Sequence, residues 1–115
     1  KILVIDDEKK YREVYSTLLG ENGYQIVTAG SASEAFSVLK KERINLILLD
    51  LILPETNGIE LLQKVKEKYG DTIEVIMVTG YGSIDSAVSA MKHGAFSYFV
   101  KSHDPDTLLL EIKKS

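Results

Sequence analysis

Cysteine is absent from this chain of 115 residues. Disulfide staples, thiolate nucleophiles and cysteine-ligated zinc are therefore excluded. No apolar run approaches the ~18–20 residues that a membrane span requires. An excess of one charge is also missing. The formal net charge is -3, which gives no general reason to bind nucleic acid or an anionic bilayer. The apolar block that starts the chain is too short for a signal peptide and runs straight into Asp6, Asp7 and Glu8. Two phosphate-binding fingerprints are lacking as well. "TGYG" at 79–82 does not have the G-x-x-x-x-G-K-S/T spacing, and no G-x-G-x-x-G follows the first apolar run. His93 and His103 stand on separate elements and make no metal pair.

What is present reads as one folded domain. Hydrophobic residues make up 44% and charged residues 27%, too apolar for a disordered chain and enough for one core. The chain starts at Lys1 rather than Met and stops in "EIKKS". Both ends read as cuts, so residues 1–115 are expected to be one domain of a longer protein. Short apolar runs alternate with stretches of helical period. The runs are 2–5, 24–29, 45–49, 74–78 and 97–100. Ile2–Ile5, Leu46–Leu49 and Val75–Val78 are apolar at every position, as strands covered on both faces are. Between them Tyr11, Val14, Tyr15, Leu18 and Leu19 keep helix spacing. So do Ala32, Ala35, Phe36 and Leu39; Gly58, Leu61, Leu62, Val65 and Tyr69; and Ile84, Ala87, Val88 and Met91. Ser31 with Glu34 is a capping-box pattern, and Asp104-Pro105 reads as N-cap and first helical residue. Gly23 and Gly94 read as helix stops. The expectation is a three-layer α/β fold, (βα)5, around a parallel five-stranded sheet with right-handed crossovers.

In "NLILLDLILPETNG" (45–58) one aspartate, Asp50, interrupts the apolar run. A lone buried carboxylate is costly unless it is paired or bound to a metal. The other strand ends suggest its company. The first run ends in Asp6, Asp7 and Glu8, the fourth in Thr79 and Gly80, the fifth in Lys101; the second ends in nothing ionisable. A sheet order of 2-1-3-4-5 would gather those groups at the carboxyl edge, where open α/β sheets bind ligands. Carboxylates crowded together repel unless a cation shares them. With only oxygen ligands, the set favours a hard ion, Mg²⁺ or Mn²⁺, that keeps several waters. Lys101 and Thr79 could then line an anion position. A phosphoryl group fits such a site, and a carboxylate can be its nucleophile, giving an aspartyl phosphate.

These pieces, "ILVIDDE", "LILLDLILPETNG", "VIMVTGYG" and "GAFSYFVK", resemble the response-regulator receiver domains of two-component signalling in order and spacing over the whole chain. The resemblance implies the flavodoxin-like, doubly wound fold, so the strand order rests partly on the family. It implies that Asp50 is the phosphoacceptor and that Mg²⁺ (or Mn²⁺) is held by Asp6, Asp7, Asp50 and the backbone carbonyl of Ile52. It implies that Thr79 and Lys101 contact the phosphoryl oxygens, and that Tyr98 changes rotamer with Thr79. The implied partners are a histidine kinase or phosphotransfer protein, an output domain or downstream protein, and a second copy on phosphorylation. The resemblance also implies that the domain itself binds neither nucleic acid nor membrane and that its location is cytoplasmic. Ile52 and Tyr81 would flank the approach of a hydrolytic water, so a long-lived phosphorylated state is expected. One departure is Lys101-Ser102, where the family commonly has Lys-Pro with a cis bond. Before a non-proline residue a cis bond costs ~2.5–4 kcal/mol, which favours a trans bond and a differently shaped loop.

Each residue alone has a plainer reading. Asp50 and Thr79 could be turn residues, Asp6 and Asp7 first-turn charges on a helix, Lys101 a solvated lysine and Tyr98 a packed strand residue. Convergence of four strand ends favours the functional reading, because chance would scatter them. Three functions fit to different degrees. A phosphorylation-driven switch, with transcriptional output expected and catalysing only its own phosphorylation and dephosphorylation, fits all the motifs. A Mg²⁺-dependent phosphatase with an Asp nucleophile usually has a second Asp two residues on; here that is Ile52. A pseudo-receiver used only for protein binding would have lost Asp50, an acidic partner or Lys101, and none is lost.

Overall fold

The computed structural model of the chain describes residues 1–80, 84–101 and 104–114. The expectations for Tyr81, His103 and the Lys101-Ser102 bond lie outside the described residues, as does the side chain of Ile84. Strands and helices alternate as β1 (Ile2–Ile5), α1 (Lys9–Glu21), β2 (Ile26–Ala29), α2 (Ala32–Lys41), β3 (Leu46–Asp50), α3 (Gly58–Tyr69), β4 (Glu74–Thr79), α4 (Ile84–Lys92), β5 (Ser97–Val100) and α5 (Pro105–Lys114), with a 3-10 turn at Gly70–Thr72. All strand pairs are parallel, in the order β2-β1-β3-β4-β5. This is the flavodoxin-like, doubly wound order expected above.

Strand alternation divides the core into two layers. Leu3, Ile5, Ile47, Leu49, Val75 and Met77 pack with Ala35, Leu61, Leu62, Val65 and Ala90 of α2, α3 and α4. Ile2, Val4, Leu46, Leu48, Ile76, Val78 and Phe99 pack with Tyr15, Leu19, Leu108 and Ile112 of α1 and α5. Each fully buried Leu or Ile contributes on the order of 1.5–3 kcal/mol by leaving water. That explains why, between the half-buried Glu74 that opens β4 and the last positions of β3 and β4, the central strands carry no polar residue.

Local signals mostly hold, with informative departures. Ser31 Oγ accepts from the Glu34 N–H at 3.2 Å, but Glu34 reaches back to the Gly30 N–H rather than to Ser31. Asp104 caps α5 by accepting from the Asp106 N–H. Gly23 and Gly94 both adopt positive φ, 88° and 96°, at the ends of α1 and α4. The second strand starts at Ile26, not Tyr24, because the Tyr24 N–H is used on Leu19 O to close α1. Val14, Val88 and Met91, in register with the apolar stripes, are exposed. On α4 the buried contact is made by Ala90 instead, a small side chain that lets the helix approach its neighbours closely.

Candidate functional site

Sheet register brings the strand ends level. Ile5 lies opposite Leu49, so Asp6 follows β1 beside Asp50, the last residue of β3. Asp50 lies opposite Val78, and Thr79 opposite Val100, so Lys101 follows one step further along β5. Alternation then sorts the side chains. Asp6, Asp50 and Lys101 continue the series that faces α1 and α5, and Asp6 still pairs through its N–H with Ala29 O. Thr79 and Tyr98 belong to the other series, which faces α4.

On the α1 side the groups meet. Lys101 Nζ lies 2.8 Å from Asp6 Oδ2 and 3.4 Å from Asp50 Oδ2, and its side chain is only 4% exposed. This is the partner that makes the buried Asp50 tolerable, and it comes from 51 residues away in the chain. The Ile52 N–H donates to Asp50 Oδ1 at 3.4 Å, and the Glu8 N–H donates to Asp6 Oδ1 at 2.9 Å. Arg12 fixes the same turn by donating to the Asp6 carbonyl at 2.7 Å. Asp7 is exposed at the rim. One carboxylate oxygen each from Asp6, Asp7 and Asp50 lie within 4.8 Å of one another. Three acids against one ammonium leave the cluster short of positive charge, and an oxygen-only donor set of this size fits a hard divalent ion.

A cavity of about 290 Å³ opens over these residues, lined by Asp7, Glu8, Tyr11, Asp50, Ile52, Gly80 and Lys101. Ile52, 52% exposed, stands at its mouth. Burial and the Asp6 carboxylate push the Asp50 pKa up to about 6, although Lys101 and the Ile52 N–H pull against them. Burial lowers the affinity of Lys101 for its proton, but the hydrogen bond to Asp6 and the charges of Asp50 and Asp6 outweigh it and hold the ammonium above its ordinary value. Tyr15, beneath the site, is pushed up by burial and then by Asp6, Tyr11 and Asp50.

Gly58 explains part of the motif. A Cβ there would lie 2.2 Å from the Asp50 carbonyl oxygen and 2.9 Å from Leu51 Cα. The start of α3 thus presses against the backbone of Asp50 and Leu51, with the Gly58 N–H donating to Leu51 O at 2.5 Å. Asn57 caps the helix through the Glu60 N–H, and Ile52 bridges back to Asn57.

Thr79 is buried and does not line the cavity, although its successor Gly80 does; its carbonyl accepts from the Lys101 N–H at 2.7 Å. Tyr98 is half-buried toward α4, and its hydroxyl shares a 2.8 Å hydrogen bond with Ser86 Oγ. Of the lining residues, Glu8 was expected at this edge but given no role, and Tyr11 was not expected there. Tyr11 stood in an apolar helical stripe, and its place one turn into α1, directly after the acidic loop, was the available signal.

Comparison with known proteins agrees with this geometry. The family model of the response regulator receiver domain matches residues 2–113. The alginate biosynthesis transcriptional regulatory protein AlgB of Pseudomonas aeruginosa is 36% identical over 114 residues, 99% of this chain but 25% of that protein. Sporulation initiation phosphotransferase F of Bacillus subtilis is 34% identical over 99% of this chain and 91% of its own length. The chain therefore spans about a quarter of one relative and most of the other. Among solved structures, the beryllofluoride-activated NtrC4 receiver domain dimer aligns with a TM-score of 0.92 at 36% identity, covering 98% of this chain and 93% of that one. A Burkholderia pseudomallei response regulator with a phosphorylated aspartic acid and a calcium ion aligns with a TM-score of 0.85 at 30% identity, covering 94% and 63%.

Proposed function

The chain belongs to the response regulator receiver family, and on that premise we propose that Asp50 is the acceptor of a phosphoryl group delivered by a histidine kinase or phosphotransfer protein. The observation that carries this reading is the meeting of Asp6, Asp50 and Lys101 from three strand ends, beside a cavity that Asp7, Asp50 and Lys101 line. An Asp50 carboxylate oxygen attacks phosphorus as the bond from phosphorus to the donor imidazole breaks. The imidazole nitrogen keeps the electron pair and takes up a proton. Mg²⁺ or Mn²⁺, bound by Asp6, Asp7, Asp50 and the Ile52 carbonyl, would offset the negative charge gathered around the phosphoryl group. Lys101 supplies a desolvated ammonium to the phosphoryl oxygens, and Thr79 supplies a hydroxyl.

Two arguments favour a switch over a turnover enzyme. A phosphatase of this kind usually has an acid two residues after its nucleophile, and that position here is Ile52, which cannot carry a proton. Thr79 and Tyr98 sit on the α4 side, so drawing Thr79 toward the phosphoryl group would free space for Tyr98 to leave Ser86 and turn inward. The surface around α4 and β5 would change, and an output domain or a second copy would read it. Transcriptional output is supported by relatives such as the P. aeruginosa regulator, and pairing of copies by the NtrC4 receiver dimer. No helix of the described residues is long and apolar enough to cross a membrane.

The test is intact-mass measurement after incubation with acetyl phosphate, with Mg²⁺ and with chelator. A single phosphoryl adduct that needs the metal and is absent from Asp50→Asn is the expected result. An adduct of equal yield on Asp50→Asn would overturn the assignment.

A further inference from the structure

Lys101 has a seat with three walls, and two of them are the carboxylates described above. The third is Tyr11. Lys101 Nζ stands 4.0 Å from the centroid of the Tyr11 ring. Behind it Tyr15 stacks on Tyr11, with centroids 5.9 Å apart and planes 24° off parallel. Tyr15 is itself buried, so the pair forms a braced wall rather than a loose surface ring. Tyr11 also lines the cavity over Asp50. Lys10 lies over the same ring but further off, at 5.5 Å, so Lys101 is the closer cation.

A lysine ammonium is a point charge on a flexible stem with three freely turning donors. Two carboxylates fix how near it stands to them but not from which side it stands. An aromatic face adds that direction, and it does so without a competing negative charge. The distinction matters when the charge of Asp6 is engaged by another cation, because the 2.8 Å bond that dominates the seat is then weakened. We infer that Tyr11 is a positioning residue for Lys101: its braced ring face keeps the ammonium beside Asp50 when Asp6 no longer holds it. This inference rests on the reading of Asp50 as phosphoacceptor. The plainer account, in which Tyr11 is only part of the packing between α1 and the sheet, predicts that any apolar side chain of similar size would serve.

The test compares wild type, Tyr11→Phe, which keeps the ring, and Tyr11→Leu, which keeps apolar bulk without it. The first readout is NMR of the metal-free protein. Lys101 Cε protons should be shifted upfield by the ring in wild type and Tyr11→Phe, and should return toward ordinary values in Tyr11→Leu. The second is the rate of phosphorylation by acetyl phosphate at saturating Mg²⁺. A cation–π contact at a partly desolvated site corresponds to roughly a three- to tenfold loss in Tyr11→Leu, restored in Tyr11→Phe. In a Lys101→Ala background the Tyr11→Leu change should have no further effect on rate. Equal rates in Tyr11→Leu and wild type would overturn the inference, as would equal losses in Phe and Leu or an additive loss in the Lys101→Ala background. Absence of the ring shift from wild type would do the same. If wild type takes no phosphoryl group at all, the acceptor reading fails instead, while the metal-free spectra still decide whether the ring seats Lys101.

Discussion

Removing the charge of Asp50 should stabilise the metal-free protein at neutral pH, although Asp50 is paired with Lys101. The reason lies in the balance at its carboxyl, whose pKa is pushed from 3.8 to about 6 by burial first and Asp6 second. Its folded-state pKa is therefore above the unfolded value. The stability it contributes is intact below about pH 3.8 and is lost as pH rises through about 6. One pKa unit corresponds to about 1.4 kcal/mol, so the ceiling is near 3 kcal/mol. Asp50→Asn also gives up the attraction to Lys101 at 3.4 Å, but Lys101 keeps Asp6 at 2.8 Å. A net gain of about 1–2 kcal/mol at pH 7.5 follows, roughly 3–8 °C in Tm. Urea unfolding of both proteins in chelator, at about pH 4.5 and pH 7.5, measures it. The gap should be small at the lower pH and should open at the higher one. Saturating Mg²⁺ should narrow it again, because the ion would be held by one more carboxylate in wild type than in Asp50→Asn. An Asp50→Asn protein no more stable than wild type at pH 7.5, or a gap that ignores pH, would refute the reasoning.

Other outcomes follow from the same geometry. Gly58→Ala should destabilise by more than about 2 kcal/mol, since its Cβ would stand 2.2 Å from the Asp50 carbonyl oxygen; a smaller change in urea unfolding would mean that α3 can shift freely. Asp7→Ala should abolish weak Mg²⁺ binding in calorimetry, whereas an unchanged affinity would remove Asp7 from the ligand set. Ile52→Asn should speed loss of the phosphoryl group by replacing an exposed apolar side chain at the cavity mouth with one that can hydrogen-bond water. Tyr81→Glu should act in the same direction. Unchanged or slower decay in both would end the blocking account. A structure with a phosphoryl mimic at Asp50 should show Thr79 displaced and the Tyr98–Ser86 hydrogen bond broken; both unmoved would count against the switch.

Much of this was legible before any coordinates. Strands apolar at every position demand cover on both faces, and the acids and ammonium stand where those runs stop. Asp50, Asp6 and Lys101 were therefore identifiable as a group even though Asp50 and Lys101 are 51 positions apart. What was not legible depends on rotation and register. Val14, Val88 and Met91 fit helical stripes yet are exposed, because periodicity gives a stripe but not its width, and on α4 Ala90 is buried in the core instead. The contact of Tyr11 with Lys101 requires the docking of α1 across the sheet edge, which no local pattern encodes. The division of Thr79 and Tyr98 from the carboxylate cluster follows from strand alternation once the register is known.

The acceptor assignment has one most direct measurement. Protein phosphorylated with acetyl phosphate and Mg²⁺ is reduced with borohydride, which converts an aspartyl phosphate to homoserine, and the product is mapped by tandem mass spectrometry. Homoserine at position 50, and at no other aspartate, is the predicted result. Homoserine at Asp6 or Asp7 with position 50 unmodified would contradict the account.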